Sequence, residues 1–267
     1  MFGGATSAGK SAGGLARLAE PDQTPQVGSQ AWDALRVGRL DPVHLARGRV
    51  VAAGRNDPAA WDFDLLRTRT LRALKERGWR RLAVTSPSAA CGKTFIAANL
   101  ALSLARVPGC RTALIDLDLR IPSLAKLLGM DGVGALRDVL AGHKPLEEHF
   151  VRIGNSLAVG LNDRSEPDAA ELLQDPATAE ALARAQSGLQ VDVAIYDMPP
   201  VNACDDVLAF ASEIDAVLLI ARGGLTKAED IRRCERLFDG QTPILGVVLN
   251  DSEDAATEPY GYAGRGR

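Results

Sequence analysis

The 267-residue sequence has no long hydrophobic run. Its longest apolar stretch, around residues 216–221, is far shorter than the ~20 residues that a membrane-spanning helix needs. The opening residues MFGGATSAGK lack the apolar region of a secretory signal peptide. We therefore expect a soluble, cytoplasmic protein that reaches a membrane only through a partner.

Clustered basic residues and paired cysteines are also missing. The formal net charge is −3 and neither Lys nor Arg forms a basic stripe, so nucleic acid is not an expected partner. The cysteines are far apart, with no C-x-x-C pair and no histidine at metal-ligand spacing: Cys91, Cys110, Cys204 and Cys234. This spacing argues against a zinc site or a disulfide framework and favours a reducing compartment.

The overall composition is that of a globular protein, with 46% hydrophobic and 24% charged residues. Residues 1–30 depart from it, because they are rich in Gly, Ala, Ser, Pro and Gln. We expect the apolar stretch 40–53 to dock on the main domain, and Asn56-Asp57-Pro58 to start a helix that ends near Arg77. The predicted organisation is a disordered tail at 1–30, a docking segment and helix at 31–80, the main part of the same domain at 81–251, and a flexible tail at 252–267.

Short apolar runs alternate with helical stretches after residue 80. Six of these runs are typical of strands: LAVTS, TALIDLD, SLAVGLN, VDVAIYD, AVLLIAR and ILGVVLN. The alternation predicts a mainly parallel sheet, and runs that are apolar on both faces suit central strands covered from both sides. The predicted fold class is therefore α/β and doubly wound, with helices on both faces of the sheet.

The phosphate-cradling motif G-x-x-x-x-G-K-[ST] occurs to the letter at residues 4–11, GATSAGKS. This motif binds phosphate only when a strand and a helix hold its loop. Only Met1, Phe2 and Gly3 precede the match, so no strand can hold it. We interpret it as a chance match in a segment rich in small residues.

A second, imperfect match at residues 86–94, SPSAACGKT, has the right surroundings. Pro87 replaces the first glycine, but an apolar strand precedes the loop and an amphipathic helix, FIAANLALSLA, follows it. This arrangement predicts that Lys93 contacts the β- and γ-phosphates of a nucleotide and that the Thr94 hydroxyl binds Mg²⁺. The expected nucleotide-binding residues are Ser88, Ala89, Ala90, Cys91, Gly92, Lys93, Thr94 and Phe95.

Acidic residues end two further apolar strands. Asp116 and Asp118 stand at i and i+2, so their side chains point the same way, and Asp197 closes VDVAIYD. The carboxyl ends of central parallel strands face the ligand crevice in this architecture. Since Mg²⁺ prefers oxygen ligands, the three acids and the Thr94 hydroxyl predict one magnesium site.

These motifs resemble those of the bacterial tyrosine kinases (BY-kinases) of capsule and exopolysaccharide assembly, over roughly residues 40–250. The resemblance rests on Thr85-Ser86 before the loop, D-x-D-x-R-x-P at 116–122, D-x-P-P at 197–200, and segments at 134–142, 167–173, 222–226 and 246–250. It implies a P-loop NTPase fold of the deviant-Walker, MinD-like group, with ATP and Mg²⁺ as cofactors.

The resemblance also implies roles for individual residues. Lys93, Asp116 and Asp118 would be catalytic, with Asp116 taking the proton from a tyrosine hydroxyl. Thr94, Asp118 and Asp197 would hold Mg²⁺, Asn250 would lie near the adenine, and Tyr260 and Tyr262 are the expected phosphoacceptors. The implied partners are a membrane-spanning chain-length regulator of polysaccharide export, at the inner face of the membrane, and further copies of the chain.

The sequence departs from the family in three places. The loop has Ala89-Ala90-Cys91 where the family has Pro-Gly-Glu, and a left-handed Ala90 would cost about 1 kcal/mol. Cys91 lies near a helix N-terminus, so redox gating is one interpretation and a small packing side chain is the favoured one. The family often has an E-x-x-R-x-x-R motif before the first strand, and this chain has Trp61, Asp64 and Arg67 at the three motif positions. The C-terminal tail has two tyrosines where the family has a cluster.

Two alternative functions follow from the same motifs. Positioning ATPases of the partition and septum-site class share the fold, but their K-G-G-x-G-K-T motif has a signature Lys where this chain has Ser88. The other alternative is a nucleotide-dependent switch with little turnover, which the altered loop and the few tyrosines favour. The retained Lys93, Asp116, Asp118 and Asp197 argue against it.

Overall fold

The structure is a computed structural model that describes residues 27–52 and 59–252. Several expectations fall on other residues: the match at 4–11, the cap at 56–58, and Tyr260 and Tyr262. They lie outside the described residues and stay predictions. The first described helix begins at Val27, which is three residues before the boundary predicted for the N-terminal tail.

The described residues form one eight-stranded sheet. Its strands are β1 (Arg36–Gly38), β2 (Arg81–Thr85), β3 (Thr112–Asp116), β4 (Val151–Ile153), β5 (Leu157–Gly160), β6 (Val193–Asp197), β7 (Ala216–Arg222) and β8 (Ile244–Asn250). The order across the sheet is β1-β4-β5-β3-β6-β2-β7-β8. Neighbouring strands are parallel except for the β4–β5 pair. The six predicted strands are present, and the short strands β1 and β4 were not predicted.

Helices connect the strands. They are α1 (Val27–Ala34), α2 (Pro42–Arg47), α3 (Ala59–Arg77), α4 (Lys93–Leu104), α5 (Leu124–Leu128), α6 (Arg137–Leu140), α7 (Ala169–Gln174), α8 (Pro176–Gly188), α9 (Asp206–Ala209) and α10 (Ala228–Phe238). Two 3-10 turns lie at Leu146–Glu148 and Ala211–Glu213. The end of α3 at Arg77 confirms the helix that the sequence predicts there.

Two hydrophobic clusters cover the two faces of the sheet. Along β2, Ala83 packs in one cluster, whereas Leu82 and Val84 pack in the other. Alternate residues of a strand point to opposite faces, so a run that is apolar throughout serves both clusters. The doubly wound architecture predicted from the sequence is confirmed.

The segment before α3 packs on the main domain. Leu45, Val50 and Ala52 are buried in the same cluster as Leu82. Asp41 caps α2 by accepting a hydrogen bond from the Val43 amide, with a proline at the first turn. The expected docking of the apolar stretch is therefore confirmed for residues 40–52, and it brings α2 close to the start of α4.

Candidate functional site

The candidate site lies where three neighbouring strands end. In the order β3-β6-β2, the register pairs Asp116 with Asp197, and Asp197 with Val84. The loop that follows β2 therefore begins next to both acidic strands. Carboxyl ends of parallel strands form the ligand crevice of such sheets, so the register alone brings the predicted loop and acids together.

The loop between β2 and α4 runs from residue 86 to residue 92. The Thr85 hydroxyl donates to the Pro199 carbonyl at 2.6 Å, which ties the loop to the segment after β6. Gly92 caps α4 with φ of 88°, and a Cβ atom there would lie 2.2 Å from Asn250 Nδ2. Ala90 also has a positive φ, 62°. Ala90 therefore adopts the left-handed conformation whose cost was considered in the sequence analysis, and a side chain at residue 92 would be strained by the positive φ and by the nearby Asn250 amide.

Lys93 is paired with an acid of the site. Its ammonium donates to Asp118 Oδ2 at 2.7 Å, and the two side chains are 14% and 4% exposed. Burial lowers the pKa of Lys93, but the carboxylates of Asp197 and Asp118 more than offset this, so the pKa is raised. Lys93 is therefore a fixed positive charge at the N-terminus of α4, where helix geometry already favours anions.

Asp116 and Asp197 are fully buried acids with incomplete hydrogen bonding. Asp116 Oδ2 accepts from the Leu124 amide at 3.1 Å, whereas Asp116 Oδ1 and both Asp197 oxygens have no partner in hydrogen-bond geometry among the described residues. Burial raises the pKa of Asp197 to about 7, although Lys93 and the nearby Thr94 hydroxyl lower it. Burial and Asp197 likewise raise the pKa of Asp116. Buried polar atoms are nearly always hydrogen-bonded, so these oxygens are the atoms that a bound cation or a proton would satisfy.

The residues present fit a magnesium ion that is shared with a nucleotide. The Thr94 hydroxyl lies at the first turn of α4, 3.1 Å from the Ser123 hydroxyl and near Asp197, whose pKa it lowers. Within residues 27–52 and 59–252, no group of three or more His, Cys, Asp or Glu is arranged to hold a metal. Phosphate oxygens and water would have to supply the remaining ligands, as is usual for Mg²⁺.

A cavity of about 670 Å³ opens at the start of α4. The loop and α4 line one side of it, and α2 and α5 line the other with His44, Arg47 and Lys126. This volume lies in the range of small-molecule sites. The sequence analysis missed these three basic residues, because a docking segment distant in sequence supplies two of them. Asp41-Pro42, a helix-start pair, was the signal that α2 exists.

Arg120 of the D-x-D-x-R-x-P motif has a structural contact. Its guanidinium donates to both oxygens of Asp206, a fully buried carboxylate in α9, at 2.7 to 3.1 Å, and to the Pro167 carbonyl at 3.3 Å. The bidentate pair connects the segment after β3 to the segment after β6. Arg120 therefore supports the segment that carries Asp118.

Asn250 and Cys91 contact each other in the structure. The Asn250 amide donates to the Cys91 carbonyl at 2.9 Å, so its contact among the described residues is with the loop, and its place beside adenine stays a prediction. Cys91 is 1% exposed, and its Sγ lies 3.6 Å from the Thr226 hydroxyl. This burial favours the packing interpretation of Cys91 over a redox role.

The positions that correspond to the E-x-x-R-x-x-R motif are used within the chain. Asp64 pairs with Arg67 at 3.0 Å and also with Arg106, and it accepts a hydrogen bond from the Ser103 hydroxyl. Trp61 is 76% exposed. The acid and arginine of α3 thus bind α4 and the turn after it.

Among the helices that the structure describes, none is long and apolar enough to span a membrane.

Comparison with known proteins identifies the family of the chain. A family described as ParA: NUBPL iron-transfer P-loop NTPase matches residues 79–258. EpsB of Ralstonia solanacearum is 32% identical over 226 residues, which are 82% of this chain and 29% of that protein. Tyrosine-protein kinase YwqD of Bacillus subtilis is 29% identical over 205 residues, 76% of this chain and 85% of that protein. The chain thus spans less than a third of EpsB and most of YwqD.

Solved structures give the same result. The kinase domain of Escherichia coli tyrosine kinase ETK superposes with a TM-score of 0.59 at 27% identity, covering 68% of this chain and 71% of that one. The septum-site-determining protein MinD of Pyrococcus horikoshii, complexed with Mg-ADP, has a TM-score of 0.53 at 23% identity, covering 64% and 70%. At this low identity, the similarity to MinD shows the fold alone. The chain therefore belongs to the ParA family of P-loop NTPases, where its relatives are bacterial tyrosine kinases.

Proposed function

We propose that the chain is an ATP-dependent protein-tyrosine autokinase of the P-loop type, which regulates exopolysaccharide or capsule polymerisation and export. It would act at the inner face of the cell membrane together with a membrane-spanning chain-length regulator. The observation that carries the proposal is the cluster at the ends of β2, β3 and β6, in which Lys93 and three carboxylates converge on one loop. Sequence similarity to the tyrosine-protein kinase YwqD, which covers most of both chains, supports the proposal.

The chain's own groups would divide the work as follows. Lys93 and the loop amides would bind the phosphates of ATP, and Thr94, Asp118 and Asp197 would hold Mg²⁺ against them. Mg²⁺, when bound, neutralises charge on the transferred phosphoryl group. In the structure the Lys93 ammonium contacts Asp118 Oδ2, so Asp118 would be better able to hold Mg²⁺ once Lys93 turned to the phosphates.

Asp116 would be the base in this proposal. It is buried, its pKa is raised, and Asp116 Oδ1 has no hydrogen-bond partner among the described residues, so it can accept a proton. As the tyrosine oxygen bonds to the γ-phosphorus and the bond to ADP breaks, the phenolic proton would pass to Asp116. A carboxylate with an ordinary pKa would be a weaker base for this step.

Tyr260 and Tyr262 would be the acceptors. Tyr260 follows Ser252 by eight positions, and eight extended residues span up to about 28 Å. That length permits either the chain's own site or that of a second copy to be reached. Three acids, Glu253, Asp254 and Glu258, precede the tyrosines. Their charge suits a site whose rim carries Arg47 and Lys126.

The test is the intact mass of the purified protein after incubation with Mg-ATP, beside a Lys93→Met variant, followed by mapping of any added phosphate. Phosphate on Tyr260 or Tyr262 of the wild type, absent from Lys93→Met, is the expected result. Incubating Lys93→Met with wild-type protein then separates transfer within one chain from transfer between chains. Unmodified tyrosines with steady, Lys93-dependent ADP release would instead identify an ATPase without autokinase activity.

The closed Lys93–Asp118 pair favours one second candidate, a switch that binds nucleotide and turns it over slowly. In that case the wild type would bind Mg-ADP, but incubation with Mg-ATP would produce neither phosphate nor ADP at a measurable rate. The fold that MinD shares also admits a positioning ATPase. Ser88, which stands where that class has its signature Lys, opposes this assignment. ATP turnover that rises on a membrane or DNA surface, without phosphotyrosine, would favour it.

A further inference from the structure

Two successive carbonyls of the loop are held from outside it. Arg222 Nη1 donates to the Ala90 carbonyl at 3.0 Å, and the Asn250 amide donates to the Cys91 carbonyl at 2.9 Å. Arg222 ends β7 and Asn250 ends β8, the strand pair beyond β2 in the sheet. The loop that precedes Lys93 is thus fastened to the ends of two strands that carry none of the site's acids.

Arg222 is itself held in place. Its Nε and Nη2 donate to the same oxygen of Asp251, Oδ2, at 3.0 and 2.8 Å. Its backbone amide donates to the Thr226 hydroxyl at 2.9 Å, and the neighbouring Gly223 amide donates to the Asn250 carbonyl. One guanidinium therefore uses two donors for its anchor and one for the loop. We call Arg222 and Asp251 the loop clamp.

The loop clamp contacts Ala90, a non-glycine residue of the loop with a positive φ. Ala90 has φ of 62°, a conformation that a non-glycine residue populates about tenfold less than glycine does. In that conformation the Ala90 carbonyl points to Arg222, and the chain then turns through Gly92 into α4. If the carbonyl were released, Ala90 would relax toward negative φ, and the amides that follow it would change direction. Those amides precede the N-terminus of α4, where phosphate is expected.

We propose that Arg222, anchored by Asp251, is a positioning residue that holds the Ala90-containing loop in its phosphate-binding shape and so substitutes for a loop glycine. The inference rests on the proposed nucleotide site at Lys93. The clamp contributes locally, since Arg222 and Asp251 are 39% and 58% exposed and an exposed ion pair adds little to global stability. Its effect should therefore appear in nucleotide affinity and loop exchange and leave the melting temperature nearly unchanged.

The experiment is a double-mutant cycle in the full chain. The affinity for fluorescent Mg-mant-ADP is measured for wild type, Arg222→Ala, Ala90→Gly and the double variant, with Asp251→Ala as a second clamp variant. Arg222→Ala should weaken binding about tenfold, because a hydrogen bond from a charged donor is lost and the loop relaxes. In the Ala90→Gly background the same change should weaken binding less than about threefold, since glycine adopts positive φ without support. Arg184→Ala, which removes an exposed ion pair on α8, is the matched control and should change nothing.

Equal losses in the wild-type and Ala90→Gly backgrounds would overturn the inference, because Arg222 would then act on the nucleotide directly or through the fold as a whole. Hydrogen exchange of the loop amides in nucleotide-free protein gives a second readout. Arg222→Ala should accelerate exchange over residues 88–92, and Ala90→Gly should remove that dependence on Arg222. If the wild type binds no nucleotide, the proposed function fails while the exchange result still decides the clamp. Unchanged exchange in Arg222→Ala would overturn it.

Discussion

The ammonium of Lys93 lies 2.7 Å from Asp118 Oδ2, in a site where both side chains are largely withdrawn from solvent. An anion that approaches the N-terminus of α4 must compete with Asp118 for this ammonium. A divalent cation would in turn compete with Lys93 for Asp118 Oδ2. We therefore predict that the pair couples phosphate binding to metal binding.

Asp118→Asn tests this coupling. Removing the carboxylate frees Lys93 and removes a negative charge near the phosphates, so ADP should bind several-fold more tightly in EDTA. The gain in affinity that Mg²⁺ gives the wild type should largely disappear. Calorimetric titration with ADP, in the presence of Mg²⁺ and in EDTA, measures the two affinities. Asp138→Asn, which breaks a surface pair with Lys144, is the control and should leave both affinities unchanged. Unaltered ADP affinity of Asp118→Asn in EDTA would contradict the coupling.

Asp197 should make nucleotide-free protein less stable at high pH. Burial raises the pKa of this acid to about 7, from 3.8, so the folded state holds its proton more tightly than the unfolded state does. Stability from this group is therefore gained as pH falls through 7 and lost as pH rises. The unfolding free energy of the wild type, relative to Asp197→Asn, should increase by about 1 kcal/mol between pH 8 and pH 6.

Urea unfolding in EDTA at the two pH values measures this difference. Asp197→Asn should also be at least as stable as the wild type at pH 8, because it removes a buried charge whose oxygens have no partner in hydrogen-bond geometry within residues 27–52 and 59–252. Loss of Mg-nucleotide binding by the same variant would link the unfavourable charge to the metal. A difference between the two proteins that does not vary with pH would contradict the assignment.

Arg120 should matter for stability more than for chemistry. Arg120→Ala leaves the buried Asp206 carboxylate without its partner, and we expect a loss of about 2–3 kcal/mol in the free energy of unfolding. Arg120→Lys should recover only part of it, because an ammonium cannot form the bidentate contact. Arg72→Ala, at an exposed pair with Glu76, should cost less than about 0.5 kcal/mol. Arg120→Ala with full stability and impaired turnover would instead place Arg120 in the chemistry.

Most of the fold could be predicted from the sequence, and the exceptions have physical reasons. The six long strands were identified because each is apolar on both faces. Strands β1 and β4 were not predicted, since each has only three residues and β1 is largely exposed. Such short strands exist through their pairing with each other, Arg36 with Val151 and Gly38 with Ile153, which no local pattern reveals.

The positions of the site residues were predictable for the same reason. Asp116 and Asp197 end apolar strands, Lys93 comes after the loop that follows another, and the parallel sheet gathers strand ends at one edge. Contacts between side chains were not predictable: neither the Arg222–Ala90 hydrogen bond nor the approach of Arg47 to the site leaves a sequence signal. The catalytic and metal-binding roles of these residues stay predictions.

The central claim is that the nucleotide site is built on Lys93 and not on the better sequence match that contains Lys10. Binding of Mg-ADP to wild type, Lys93→Met and Lys10→Met, measured side by side by calorimetry, tests it most directly. We predict that Lys93→Met abolishes detectable binding and that Lys10→Met binds as the wild type does. Loss of binding in Lys10→Met with binding retained in Lys93→Met would contradict the account.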